Sequence, residues 1–181
     1  MKQKVLVVVD MQNDFIDGAL GTKEAVSIVP AVCDKIRSMA AEGAIVFATR
    51  DTHSANYMDT REGRFLPVPH CIRGTNGWEI RPEIAELLKD AIIINKYSFG
   101  SKELPDVVCE TLQIEGVDAK DAEIELVGLC TDICVVSNAL ILKAQFPETD
   151  IMVDASCCAG VTVEKHLAAL ETMRSCQIEV F

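Results

Sequence analysis

Short apolar runs rich in β-branched residues alternate along this chain with stretches in which apolar residues recur every three or four positions. Nearly continuous apolar runs are typical of strands that are buried on both faces of a sheet. Strands that alternate with helices pair in parallel through right-handed crossovers. We therefore predict an α/β fold, a doubly wound and mostly parallel six-stranded sheet with helices on both faces, in three Rossmann-like layers. The predicted strands are residues 5–9, 44–48, 91–94, 124–128, 151–153 and 178–181.

Helical spacing predicts helices over residues 27–42, 82–88, 105–112, 132–143 and 162–175. A length of 181 residues suits one domain, which we place at 1–181. One segment interrupts the alternation: residues 51–80 are polar, rich in glycine and proline, and have little helical period. Because a loop of that length is uncommon in a compact domain, we expect it to have a function.

Charge and hydropathy exclude several classes of partner. The chain has 17 Lys plus Arg against 28 Asp plus Glu, a formal net charge of −11, so we expect no binding to nucleic acid or to anionic membranes. The apolar run near the N-terminus is too short for a signal peptide, and none reaches the roughly 20 residues that span a bilayer. We therefore expect a cytoplasmic protein whose eight cysteines are reduced thiols.

Reactive side chains follow four of the predicted strands. Asp10, Asp51 and Lys96 follow the first three, and Cys134 begins the helix after the fourth. Ligands bind at the carboxyl ends of parallel strands, so these groups are expected to converge on one rim. The alternative is that charged residues end strands simply where strands surface. A helix N-terminus and Lys96 would lower the pKa of Cys134 and favour its thiolate.

Three motifs resemble those of the isochorismatase-like cysteine hydrolases, and among them most closely the nicotinamidases. They are VDMQNDF at residues 9–15, NKYSFGS at 95–101 and VGLCTDICV at 127–135. The resemblance implies that Cys134 is the nucleophile, Asp10 the acid/base and Lys96 their cationic partner. It also implies a cis peptide at Leu129–Cys130, an oxyanion site made by the backbone N–H groups of Cys130 and Cys134, and packing of Phe15 against the substrate ring.

The long loop contains two of the three histidines of the chain. By spacing alone, RDTH at residues 50–53 is weak support for a metal site, and two ordinary surface histidines are the simpler reading. The resemblance extends to this segment and to VPHCIRGTNG at 68–77. It implies Asp51, His53 and His70 as ligands of a divalent metal, with Zn expected and Fe or Mn as alternatives.

Many relatives have a further histidine where this chain has Tyr57, so we assign the fourth ligand to Glu62. His166 lies on the last predicted helix beside Glu164 and Lys165, on a face expected to be solvated, and receives no role.

The resemblance thus implies a metal-assisted hydrolase of linear amides that releases ammonia from a small aromatic amide, converting nicotinamide to nicotinic acid. Another hydrolase of the superfamily remains an alternative, either an N-carbamoyl or ureido amide hydrolase or an isochorismatase. A non-catalytic binding or redox-sensing domain is the alternative of another class. Relatives are commonly oligomers, so we also expect a homo-oligomer.

Overall fold

A computed structural model describes residues 2–181 of the chain and contains a six-stranded sheet. Its strands lie in the order β3-β2-β1-β4-β5-β6, and every neighbouring pair is parallel. The predicted doubly wound sheet is confirmed, and it is parallel throughout. The strands are β1 Gln3–Val9, β2 Ile45–Asp51, β3 Ile92–Lys96, β4 Ala122–Leu129, β5 Asp150–Ala159 and β6 Glu179–Val180.

In the part of the chain that the structure describes, seven α-helices and several shorter turns connect these strands. A π-helical turn, Thr131–Val135, joins β4 to the helix that follows it. Within residues 2–181, no helix has the length and apolar character needed to cross a membrane. The helices are α1 Asn13–Ile16, α2 Lys23–Ala41, α3 Arg61–Phe65, α4 Pro82–Ala85, α5 Leu104–Ile114, α6 Val136–Gln145 and α7 Val163–Ser175.

Two hydrophobic cores cover the two faces of the sheet, and the residues of β1 alternate between them. Val5, Val7 and Val9 face the core that includes α5, α6 and α7. Leu6 and Val8 face the core formed with α2 and α4. Because successive side chains of a strand point to opposite faces, an uninterrupted run of apolar residues is what a central strand between two helical layers requires.

Several elements extend beyond their predicted ends. Helix α2 begins at Lys23 because the hydroxyl of Thr22 accepts a hydrogen bond from the Ala25 N–H at 3.0 Å, which caps the first turn. Strand β5 continues past residue 153 to Ala159. Asp154, the first residue after the predicted end of this strand, is buried beside Lys35 of α2. A pattern that treats charged residues as strand ends does not predict this pairing.

Candidate active site

The strand order brings the four predicted reactive side chains to one edge of the sheet. Asp10 directly follows β1, Asp51 ends β2 and Lys96 ends β3. Cys134 lies in the π-helical turn after β4. Since these are the four adjacent strands β3-β2-β1-β4, their carboxyl ends share one rim, as the sequence predicts.

Lys96 stands at the centre of this group. Its Nζ lies 2.7 Å from Asp10 Oδ2, 3.0 Å from Asp51 Oδ1 and 3.4 Å from Cys134 Sγ. The side chain of Lys96 is fully buried, and its remaining contact is with the carbonyl oxygen of Ser98 at 3.2 Å. The ammonium is therefore held by protein groups, among them two carboxylates and the predicted nucleophile.

Asp10 is fixed by β2 on one side and is available on the other. Its N–H donates to Thr49 O at 3.2 Å, and its Oδ1 accepts a hydrogen bond from the Thr49 hydroxyl at 2.7 Å. Its Oδ2 pairs with Lys96 but accepts no hydrogen bond of suitable direction. One carboxylate oxygen is thus positioned to accept a proton. Thr49 lies inside a strand, where nothing in the sequence marks it as functional.

The electrostatics of the group overturn one prediction. Burial and the nearby carboxylate of Asp10 raise the pKa of Cys134 well above its ordinary value, and they outweigh Lys96, which lowers it. The predicted lowering of this pKa is therefore wrong, because the sequence could not show how completely the sulfur is desolvated. Burial also raises the pKa of Asp10. Deprotonation of the thiol consequently requires transfer to an acceptor in direct contact.

The turn that carries the thiol has a constrained backbone. Gly128 has φ +119°, and a Cβ at this position would collide with the backbone of Val9 in β1, so only glycine fits. The Leu129–Cys130 peptide is cis, as the resemblance implies. The carbonyl oxygen of Cys130 accepts hydrogen bonds from the N–H groups of Ile133 and Val135, both at 3.1 Å.

Asn138 joins this turn to the lysine segment. Its Nδ2 donates to Cys134 O at 2.8 Å, while its Oδ1 accepts the Ser101 N–H at 2.9 Å. The side chain is fully buried. It follows Cys134, the predicted nucleophile, by four residues, about one helical turn, and this spacing is the only sequence signal that could have identified it.

Four side chains of the long loop and the end of β2 form a second group beside Lys96. His53 Nε2 lies 2.9 Å from Asp51 Oδ2, and His70 Nε2 lies 3.7 Å from the same oxygen. Glu62 Oε1 lies 3.7 Å from each of these two nitrogens. The candidate ligand atoms of Asp51, His53 and His70 all lie within 4.8 Å of one another.

This metal group, formed by Asp51, His53, Glu62 and His70, suits a divalent cation. His70 Nδ1 lies 2.8 Å from Val68 O, which fixes it as the protonated nitrogen and directs the lone pair of Nε2 toward the carboxylates. His53 Nε2 is buried and makes no hydrogen bond of acceptable geometry. Two imidazoles and carboxylates in contact are a donor set typical of Zn²⁺, Fe²⁺ or Mn²⁺. Burial without a hydrogen-bond partner is costly, and a cation would remove that cost.

Tyr57 supports the two imidazoles from outside. Its ring centroid lies 4.8 Å from that of His53 and 5.0 Å from that of His70. Its hydroxyl donates to Leu66 O at 2.9 Å and therefore points away from the ligand atoms. Among the described residues, Glu62 is the better candidate for a fourth ligand.

Gln12 holds Asp51 in place through the backbone. Its Oε1 accepts the Asp51 N–H at 2.7 Å, and its Nε2 donates to Asp51 O and to Trp78 O, both at 2.8 Å. The side chain is fully buried. It was not predicted as a site residue, although it lies within the VDMQNDF motif. Its neighbour Asp14 binds the same loop, accepting the Cys71 N–H at 2.8 Å.

Phe15 lies beside the metal group, and His166 contacts the turn that carries Cys134. Phe15 is buried with its ring centroid 5.5 Å from that of His70, at the edge of the metal group. His166 is half-buried and not fully solvated as expected, and its Nδ1 lies 2.8 Å from the hydroxyl of Thr131, in the turn that carries Cys134. Helix α7 packs against this turn, which its own helical pattern could not reveal.

Comparison with known proteins gives a consistent result. Residues 4–181 match the isochorismatase domain family. The nicotinamidase/pyrazinamidase of Mycobacterium tuberculosis is 29% identical over 188 residues, which cover 98% of this chain and 97% of the relative.

Solved structures of similar fold include a pyrazinamidase of Pyrococcus horikoshii in complex with zinc. It superposes with a TM-score of 0.83 and 31% identity, covering 99% of this chain and 98% of that one. The N-carbamoylsarcosine amidase of Thermoplasma acidophilum superposes with a TM-score of 0.80 and 27% identity, covering 98% and 95%. The similarity therefore spans almost the whole chain in each case.

Proposed function

This chain belongs to the isochorismatase family of hydrolases, and we propose that it is a cysteine amidohydrolase that converts nicotinamide to nicotinic acid and ammonia. The observation that carries the proposal is the contact of one buried ammonium with both a carboxylate and a thiol. Lys96 Nζ lies 2.7 Å from Asp10 Oδ2 and 3.4 Å from Cys134 Sγ. The similarity to a nicotinamidase/pyrazinamidase supports the choice of substrate.

In the proposed acylation, Asp10 Oδ2 takes the proton of the Cys134 thiol while the sulfur attacks the amide carbon. The raised pKa values of both groups, caused by burial, suit a proton that moves directly between them. Lys96 stays cationic throughout, because Asp10, Cys134 and Asp51 raise its pKa by more than burial lowers it. Its charge stabilises whichever of the two partners is negative.

The tetrahedral intermediate places a negative charge on the former carbonyl oxygen. We assign the stabilisation of this charge to the backbone N–H groups of Cys130 and Cys134. One such donor typically lowers the barrier by about 3 kcal/mol. Asp10 then gives its proton to the departing ammonia. Water hydrolyses the thioester, with Asp10 again the base, and the acid product leaves.

The residues proposed to hold a divalent cation are Asp51, His53, His70 and Glu62. When bound, the cation supplies a Lewis-acidic position for the ring nitrogen of the substrate. Phe15, beside His70, packs against the ring. Fixing the ring at one end of the site orients the amide at the other, and such positioning can account for a large share of a rate enhancement. A zinc-bound pyrazinamidase of the same fold supports this assignment.

Replacement of Cys134 by alanine tests the nucleophile. We expect ammonia release from nicotinamide to fall to background, measured by a coupled ammonia assay, while the melting temperature stays close to that of the wild type. The matched control is Cys176→Ala, because Cys176 is an exposed thiol at the end of α7. Turnover that survives in Cys134→Ala would exclude Cys134 as the nucleophile.

Hydrolysis of an N-carbamoyl amide is the second candidate, favoured by the likeness to N-carbamoylsarcosine amidase. That reaction would use the same triad but has no need of a metal beside the substrate ring. Ammonia release is therefore compared for nicotinamide, pyrazinamide and N-carbamoylsarcosine, before and after chelation. A preference for the N-carbamoyl compound that chelation leaves intact would favour the second candidate.

A further inference from the structure

A chamber with a volume of about 560 Å³ opens between the two halves of the proposed site. Glu62 of the metal group lines one side of it, and Ser98 and Ile133 line the other. Ser98 contributes its carbonyl oxygen to Lys96 Nζ, and Ile133 directly precedes the nucleophile. The chamber therefore borders residues of both the metal group and the turn that carries Cys134.

The walls of the chamber are apolar side chains that remain in contact with solvent. Phe65 is 76% exposed, Tyr97 64%, Phe99 49% and Leu66 37%. An apolar patch of several neighbouring side chains marks a binding surface more often than an isolated exposed residue does.

Two of these rings are held by arginines. The guanidinium of Arg61 lies 4.9 Å from the centre of the Phe65 ring. Arg73 donates a hydrogen bond to the Tyr97 hydroxyl at 2.7 Å. Phe65 and Tyr97 thus have partners within the protein, and side chains that are ordered in advance lose less entropy when a ligand binds.

We propose that the chamber selects amides whose acyl group is larger than one ring, namely fused bicyclic or aryl-substituted aromatic amides. This inference rests on the proposed amidohydrolase function and specifies its substrate class. Pockets of this volume hold drug-sized ligands, whereas a single-ring amide would leave much of the chamber empty. Glu62, on the ring side of the proposed site, lines the chamber, so the extra group belongs to the acyl portion and not to the departing amine.

The charges of the lining specify the substituent further. One acid, Glu62, and one base, Arg61, line the chamber together with the apolar walls. Glu62 faces the metal group, and Arg61 is exposed to solvent beside the Phe65 ring, so the apolar walls set the preference and the lining favours an uncharged group. A fused benzene ring meets this requirement and gains by leaving water.

The test compares nicotinamide with quinoline-3-carboxamide, which keeps the ring nitrogen and the amide and adds one fused ring. We expect the wild type to hydrolyse the bicyclic amide with a kcat/KM at least equal to that for nicotinamide. Phe65→Ala and Phe99→Ala are each expected to lower the ratio of the two kcat/KM values about tenfold, since burying part of a phenyl ring contributes about 1.4 kcal/mol. The matched control is Ile114→Ala, an 83% exposed apolar residue of α5 outside the chamber, which is expected to leave the ratio unchanged.

Binding to Cys134→Ala, measured by calorimetry for both amides, separates this inference from the proposed reaction. If neither amide is hydrolysed, but the bicyclic one binds more tightly and loses that advantage in the phenylalanine variants, the chamber stands and the proposed reaction fails. Hydrolysis of nicotinamide alone, with no binding of the bicyclic amide, overturns the inference. An unchanged ratio of the two kcat/KM values in both phenylalanine variants also overturns it. This includes the case in which the variants have a lower molecular mass in solution, because the patch would then join two copies of the chain.

Discussion

The hydroxyl of Thr49 contributes to how readily Asp10 acts as a base. Burial raises the pKa of Asp10, Lys96 opposes this most strongly, and the hydrogen bond from Thr49 adds to that opposition by stabilising the carboxylate. The proposed mechanism needs the carboxylate, so kcat/KM should fall as the pH drops through this pKa. The acid limb of the profile is accordingly expected above the ordinary range for an aspartate.

Thr49→Val keeps the shape of the side chain and removes its donor. The carboxylate of Asp10 then loses stabilisation, its pKa rises, and the acid limb of kcat/KM moves to higher pH. The measurement is the pH profile of kcat/KM for both proteins. Thr172→Val, at an exposed threonine whose hydroxyl bonds within α7, should leave the profile unchanged. An unmoved limb in Thr49→Val would exclude Asp10 as the group that titrates.

At this scale the sequence located the charged groups but not their environment. Asp10, Lys96 and Cys134 were singled out because reactive residue types recur after successive strands and because the motifs that contain them resemble those of a known family. Thr49, Gln12 and Asn138 were missed because each acts through a hydrogen bond to a residue distant along the chain or one turn away. The raised pKa of Cys134 was missed for a related reason, since desolvation depends on how completely the fold encloses a group.

Among elements, the connection between the long loop and the segment that follows β1 determines the shape of the metal group. Gln12 makes three hydrogen bonds to the backbone of Asp51 and Trp78. Gln12→Met keeps the length of the side chain and removes these bonds. We expect the affinity for the metal to fall about 10- to 100-fold, as is usual when a residue that orients a ligand is lost.

The dissociation constant is obtained by competition with a chromophoric chelator, which needs no turnover. Gln113→Met, at an exposed glutamine of α5, is the matched control. An equal metal affinity in Gln12→Met and wild type would mean that the loop positions the metal ligands without the hydrogen bonds of Gln12.

A buried ion group joins three other elements, α2, β4 and β5. Lys35 Nζ lies 2.7 Å from Glu125 Oε1 and 2.9 Å from Asp154 Oδ2. Burial alone would raise the pKa of Asp154, but hydrogen bonds from Ser156 and Lys35 outweigh it and hold the pKa below its ordinary value. Its contribution to stability is therefore present at neutral pH and lost as the pH falls through that lowered pKa.

Lys35→Met leaves two neighbouring carboxylates without their cation. We expect the free energy of unfolding to fall by about 3 kcal/mol at about pH 7, and the difference from wild type to shrink at about pH 4, where the unpaired carboxylates of the variant take up protons. Urea unfolding at the two pH values measures this. Lys2→Met, which breaks an exposed pair with Asp150, should produce no such pattern. An equal loss at both pH values would indicate packing, not charge.

The elements also show what a sequence pattern can resolve. All six strands were placed, because runs such as 5–9 are apolar on both faces. The ends of β2 and β3 were set too early, since Asp51 and Lys96 are charged residues that pair with each other inside the protein. The turn and helix within residues 51–80 were not predicted, because their few helical residues are held by local hydrogen bonds, such as that from the Gly63 N–H to the Thr60 hydroxyl, and not by an apolar face.

For the whole molecule, metal binding should appear as added stability. A ligand at about 100 times its dissociation constant raises the free energy of unfolding by about 2.7 kcal/mol, or about 5–10 °C in melting temperature for a chain of this size. We expect this rise with one or more of Zn²⁺, Fe²⁺ and Mn²⁺, measured by scanning calorimetry. His53→Ala and His70→Ala should lose it, while His166→Ala, whose imidazole contacts Thr131, should retain it.

No rise with any of the three ions would contradict the assignment of the metal group. Comparison with Mn²⁺ matters here, because Zn²⁺ also binds cysteines of the unfolded chain and so stabilises the native state less than its affinity for the site implies.

The burial of several ionisable groups at the proposed site affects both the binding of the substrate and the release of the product. Asp10, Asp51 and Glu62 oppose a single ammonium, that of Lys96, so with neutral imidazoles three anions against one cation leave two negative charges in excess. A dication makes the compartment electroneutral. An uncharged amide then enters without disturbing that balance, whereas the acid formed from it ionises and adds an uncompensated anion. The same electrostatics that admit the reactant thus help to expel the product.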